Sequence, residues 1–118
     1  EQAPGSNEEI HTFCKGRFGI TFPQFSKIDV NGESAIPLYK WLTEHTTFQG
    51  LDNSHPIGAV LNQMLEKQDP DFKNSSSIKW NFTKFLINRK GELTARYEPT
   101  YSMKKLEAAI AEQCAKDA

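Results

Sequence analysis

The chain has 118 residues, with 14 Lys and Arg against 15 Asp and Glu, a formal net charge of -1 and a mean hydropathy of -0.61. That length holds one domain, and 37% hydrophobic with 11% aromatic residues is the composition of a soluble globular domain rather than a disordered chain. A near-neutral balance argues against a dedicated nucleic-acid binder, no apolar run approaches the ~18 residues that cross a bilayer, no secretory leader pattern opens the chain, and two cysteines with three scattered histidines make neither a disulfide scaffold nor a metal site.

Pro4-Gly5 is a turn, and Ser6-Asn7-Glu8-Glu9 is a Ser-x-x-Glu capping box. The helix it opens carries Ile10, Phe13 and Cys14 on one face and ends near Gly16 or Gly19. Thr21 to Val30 is apolar enough for a short strand or an extended segment, closed by the turn Asp29-Val30-Asn31-Gly32. Pro37 suits the first turn of a second helix whose inner face is Leu38, Trp41 and Leu42. Residues 46–77 read as an insertion: both ends are polar and turn-rich, and the middle is an amphipathic helix around Pro56 to Lys67 with Ile57, Val60, Leu61, Met64 and Leu65 in one stripe. That stripe must be buried, on its own domain or on a partner.

Ile78 to Asn88 alternates imperfectly, Asn88-Arg89-Lys90-Gly91 turns the chain, and Glu92 to Tyr97 returns it, a β-hairpin in which Gly91 needs positive φ. Ser102 to Cys114 forms a last helix with Met103, Leu106, Ile110 and Cys114 on one face. Charge is uneven along this order: residues 79–105 carry a net +5 and residues 1–78 a net -4. The basic stretch is either a solvated hairpin or a surface for an anionic small molecule or phospholipid headgroup.

No Ser/His/Asp arrangement, phosphate-binding glycine loop or metal-ligand spacing is present. His11, His45 and His55 sit on a helix or beside turns, where exposed or capping roles outweigh catalysis. Asn74-Ser75-Ser76 and Asn81-Phe82-Thr83 match a glycosylation sequon by chance. The informative stretch is Lys79-Trp80-Asn81-Phe82-Thr83-Lys84-Phe85-Leu86, which resembles the W-N-F-[TE]-K-F-L signature of the glutathione peroxidase family. Gln2 to Ile10 is similar to that family's Q-E-P-G-[ST]-N-E-E-I, with Ala3 in place of Glu. Phe22 to Gly32, followed by Pro37-Leu38-Tyr39-Lys40, resembles F-P-x-F-x-K-I-x-V-N-G…P-L-[YW]-K, and Arg96 to Thr100 resembles R-[YF]-x-P-T. The blocks occur in family order and cover nearly the whole chain outside the insertion.

The resemblance implies an α/β, thioredoxin-like fold and reduction of hydroperoxides by a cysteine or selenocysteine, which a thiol, glutathione or thioredoxin, then reduces as co-substrate; no bound cofactor or metal is implied. The family's Gln, Trp and Asn around that nucleophile fall by motif on Gln2, Trp80 and Asn81, whose uncharged donors suit an anion at sulfur or selenium. Cys14 lies in a region where thiol-dependent members carry a resolving cysteine and is the candidate for that role; the alternative is an ordinary buried helix cysteine. The family's nucleophile segment, of N-V-A-S-x-[UC]-G-x-T type, is not among these residues, and neither Cys14 nor Cys114 stands in such a context. The expectation is therefore the C-terminal part, 1–118, of a single cytoplasmic peroxidase domain with 46–77 inserted before the W-N-F-T-K-F-L strand. It is expected to be inactive alone and to fold with an N-terminal half or by self-association. The competing reading is a non-catalytic thioredoxin-like binding or assembly domain.

Overall fold

The computed structural model describes residues 5–116. Helix α1 (Asn7–Phe18) starts at Ser6, whose hydroxyl accepts from the Glu9 N–H at 3.2 Å and donates to the Glu9 carboxylate, and it stops at Gly19 in the left-handed region at φ 57°. Ser6 therefore caps the helix as the capping-box pattern predicts for its N-cap half, and of the two candidate stops the chain uses Gly19. No residue of α1 is buried, and Phe13 and Phe18 are exposed.

Thr21 to Val30 forms no strand among the described residues. A strand needs a neighbour for its ladder, and Pro23 removes one donor. The segment is instead tied back to α1 by side chains: Asn7 accepts from the Lys27 N–H at 2.7 Å, and His11 Nδ1 lies 2.7 Å from Gln24 Oε1. It ends in the expected turn. The Asp29 carboxylate accepts from the Ser34 hydroxyl at 2.8 Å, the Asp29 carbonyl accepts from the Ile36 N–H at 3.2 Å, and Gly32 takes φ 78°.

Helix α2 (Pro37–Glu44) has proline in its first turn. Only Leu42 of its expected inner face is buried; Leu38 and Trp41 are exposed, Trp41 stacking on His45 with ring centroids 4.6 Å apart. Helix α3 (Gly58–Gln68) buries Leu61 and Leu65, while Ile57 and Val60 of the same stripe stay exposed. Leu61 and Leu65 join Leu51 and Phe72 in a hydrophobic cluster, against which Phe48, Met64 and Trp80 pack. All four buried members of this cluster come from 46–77, so that segment packs on its own chain.

Gly58 is required by a close approach. A Cβ there would lie 1.7 Å from the Asp52 carbonyl oxygen, which already accepts from the His55 N–H at 3.1 Å. Gly58→Ala forces the 52–58 loop off α3, and we expect a loss of roughly 1–3 kcal/mol or more in urea unfolding, the cost of overpacking; an unchanged midpoint would show that the loop yields freely.

The hairpin pairs β1 (Lys84–Ile87) with β2 (Leu93–Tyr97) antiparallel, with a bulge between Leu86 and Ile87. Gly91 takes φ 81° in the turn, as its place requires. Strand β1 begins later than the W-N-F-T-K-F-L match suggests: Trp80 to Thr83 is a turn, and only Lys84 onward pairs. Tyr39 of α2 packs edge-on to Phe85, centroids 6.4 Å apart. Helix α4 (Met103–Ala115) is capped by Ser102, buries Leu106, and leaves Met103, Ile110 and Cys114 exposed.

Candidate functional site

Trp80 and Asn81 occupy the turn between the hydrophobic cluster and β1. The indole is half-buried against the cluster, while Asn81 is exposed. The turn is closed by the Thr83 hydroxyl, which donates to the Trp80 carbonyl at 2.9 Å, and by Lys84 Nζ, which donates to the Phe82 carbonyl at 2.7 Å. Phe82 takes φ 66°. For a bulky residue this left-handed conformation costs on the order of 1–3 kcal/mol and persists only where the surroundings fix it. Lys79 precedes the pair; its Nζ donates to the Ser77 hydroxyl at 2.8 Å and lies 5.5 Å from the Phe48 ring centroid. Burial, with the nearby Arg96 guanidinium, holds the Lys79 ammonium below the usual lysine range.

The residues leading into this turn are held from two directions. Asn31 contacts both peptide groups of Ile78: its Nδ2 donates to the Ile78 carbonyl at 2.7 Å, and its Oδ1 accepts from the Ile78 N–H at 2.9 Å. Arg96 of β2 reaches the other way. Its Nη2 donates to the Ser77 carbonyl at 2.9 Å, its Nη1 to the Ser76 carbonyl and, at 3.4 Å, to the Thr46 hydroxyl, and its Nε lies 2.8 Å from the Glu98 carboxylate. Both charged side chains are buried, 0% and 2% exposed. Glu98 in turn accepts from the Gln49 N–H at 3.1 Å, and the buried Thr100 hydroxyl accepts from the Asp52 N–H at 3.0 Å.

Arg96, Glu98 and Thr100 lie in the R-[YF]-x-P-T block, but their bracing role was not read from the sequence. Its signal was the i, i+2, i+4 spacing of Arg96, Glu98 and Thr100, polar positions that run from β2 into the turn after it. Of the sequence candidates, Trp80 and Asn81 are therefore brought together on a braced turn. Gln2 lies outside the described residues. Cys14 is a half-buried free thiol on α1, and Cys114 an exposed one on α4. No helix among the described residues is long and apolar enough to cross a membrane.

A family model described as glutathione peroxidase matches residues 1–43. The chain is 40% identical over 109 residues, 92% of its length, to the glutathione peroxidase homolog BsaA of Bacillus subtilis (strain 168), of which it covers 54%. It is 41% identical over 100 residues to the thioredoxin/glutathione peroxidase BtuE of Escherichia coli (strain K12), covering 84% of this chain and 52% of that one. The hydroperoxy fatty acid reductase gpx1 of Synechocystis (strain ATCC 27184 / PCC 6803 / Kazusa) is 40% identical over 97 residues, 82% of this chain and 47% of the relative. The chain thus spans about half the length of these curated relatives. A crystal structure of Trgpx in apo form superposes with a TM-score of 0.57 at 26% identity, covering 94% of this chain and 69% of the other. The fold is the thioredoxin-like one of that structure's class, and the chain is similar to the glutathione peroxidase family along most of its length.

Proposed function

We propose that the chain forms the donor side of a peroxidase active site that reduces hydroperoxides. The observation carrying this reading is the braced turn that presents Trp80 and Asn81 side by side in a chain about 40% identical to named peroxidases. In the reaction a thiolate or selenolate attacks the nearer peroxide oxygen. The S–O or Se–O bond forms as the O–O bond breaks, the alkoxide leaves and takes a proton, and the nucleophile is oxidised by two electrons. A thiol then displaces the hydroxyl as water to give a mixed disulfide or selenenyl sulfide, and a second thiol releases the nucleophile with formation of a disulfide.

The indole N–H of Trp80 and the amides of Asn81 and Gln2 are neutral donors suited to lowering the nucleophile's pKa and to stabilising charge at the breaking O–O bond. The nucleophile motif is not among these 118 residues, so on this reading they turn over no peroxide by themselves. The solvent-facing rings of Phe13, Phe18, Phe22 and Phe25, 53–94% exposed, support their being covered in the working enzyme by the family's N-terminal half or by a second copy.

The reductant we propose is a thiol co-substrate, with no bound cofactor: glutathione, whose carboxylates suit the basic stretch beginning at Lys79 and Lys84, or thioredoxin through a resolving cysteine. The unpaired Cys14 and Cys114 fit a reducing cytoplasm. Cys14→Ser in the natural full-length protein tests the thioredoxin route. If Cys14 resolves the oxidised nucleophile, the variant keeps its first, peroxide-reducing turnover and loses steady-state turnover with thioredoxin; unchanged turnover removes Cys14 from the cycle. Peroxide consumption by the full-length protein, measured with each thiol, tests the whole reading. No peroxide-dependent thiol oxidation in either assay would favour a non-catalytic binding domain.

A further inference from the structure

We propose that Asn31 is a positioning residue for the Trp80–Asn81 turn, a role that rests on the site assigned above. Its carboxamide donates to the carbonyl and accepts from the N–H of the same residue, Ile78, at 2.7 and 2.9 Å across 47 residues of sequence. A primary amide carries a donor and an acceptor on one plane, so it engages both peptide groups of Ile78 as a neighbouring strand does. Aspartate at neutral pH has only acceptors and leaves the Ile78 carbonyl without this donor; a hydrophobic residue satisfies neither group.

Asn31 is itself held. Its turn is braced by the Ser34 hydroxyl on the Asp29 carboxylate at 2.8 Å and by the Ile36 N–H on the Asp29 carbonyl at 3.2 Å, and it is followed by buried Ala35 and helix α2. One residue, Lys79, separates the clamped Ile78 from Trp80. The turn beyond holds Phe82 at φ 66°, a conformation that relaxes unless the segment leading into it is fixed. Asn31 fixes that segment through the backbone and touches neither the indole nor the Asn81 side chain in this role. It therefore acts on where the donors point, not as a donor to the substrate.

The test uses the natural full-length protein with Asn31→Ala and the milder Asn31→Asp. Two readouts are taken: the indole 15N–1H resonance of Trp80, assigned by its loss in Trp80→Phe, and the single-turnover rate of peroxide-driven oxidation. The expected result is a displaced or broadened Trp80 resonance, larger in Ala than in Asp. It is accompanied by a slower oxidation step, about tenfold or more in the alanine variant for donors misplaced by ~1 Å, with the KM for the thiol reductant unchanged. An unmoved Trp80 resonance in both variants overturns the positioning role. A moved resonance with wild-type oxidation rates in both overturns the site assignment itself and, with it, the role built upon it. Should the alanine variant fail to fold, Asn31→Asp retains the acceptor for the Ile78 N–H and carries both readouts.

Discussion

Trp80→Phe and Asn81→Ala in the natural full-length protein are each expected to slow peroxide-driven oxidation of the nucleophile by about 100- to 1000-fold, the usual cost of deleting one preorganised donor. Phenylalanine is the instructive choice at position 80. The indole packs against the cluster of Leu51, Leu61, Leu65 and Phe72, so truncation to alanine would remove packing and the N–H together. Phe keeps most of the apolar contact and deletes only the donor. Its melt should stay near wild type while its chemistry slows. Asn81 is exposed and carries no core packing, so alanine there isolates the amide. The double variant should fall short of the product of the single effects, because two donors converging on one anion act as a unit. Single-turnover mixing with peroxide, in the absence of any thiol, separates this step from reduction. Wild-type oxidation rates in both single variants would refute the donor roles.

Local chemistry was the legible part of the fold. Ser6 and Ser102 cap helices, Pro37 opens one, Gly19 ends one, and Gly91 adopts the positive φ that the hairpin turn demands. Each depends on residues within a turn or two, which the sequence displays directly. The failures share a different cause. The apolar run Thr21 to Val30 left a strand and an extended segment open, and it forms no ladder among the described residues. The Trp80–Thr83 stretch reads as the start of a strand but folds as a turn, because side-chain bonds from Thr83 and Lys84 close it. Helical stripes misled in the same way: Val60 and Ile57 share the periodicity of Leu61 and Leu65 but not their burial.

At the proposed site, Trp80 and Asn81 stand out in the sequence because they are adjacent within a motif. The residues that hold them do not. Asn31 meets Ile78 across 47 residues and Arg96 meets Thr46 across 50, and no local pattern announces such pairings. The Arg96 contacts also alter how 46–77 is understood. Thr46 near its start and Ser76 and Ser77 at its end converge on one guanidinium, so the segment is closed at its base while its own helix fills the core. The proposed donors thus sit on a platform made largely by a stretch that composition alone presents as an appendage.

That closure makes Arg96 the residue whose loss should cost the fold most. Arg96→Met is expected to destabilise the protein by about 3–5 kcal/mol, the penalty for removing one partner of a buried ion pair. The methionine fills comparable volume, so the loss is electrostatic: Glu98 stays buried at 2% side-chain exposure without its cation, and the carbonyls of Ser76 and Ser77 lose their donors. Arg96→Met combined with Glu98→Leu should recover part of that loss, because no buried charge is then left unpaired, although the Gln49 N–H still lacks its acceptor. Thr100→Val removes only the acceptor for the Asp52 N–H and should cost about 1 kcal/mol. Urea unfolding of the three variants gives the order of stability. Hydrogen exchange gives the place: Gln49 should lose protection when Glu98 is replaced, and Asp52 when Thr100 is. A wild-type midpoint for Arg96→Met would mean that the pair contributes no more than the desolvation it requires. The segment 46–77 would then be held by its hydrophobic cluster alone, and the Trp80 turn would owe its bracing to Asn31 and to the bonds that close it.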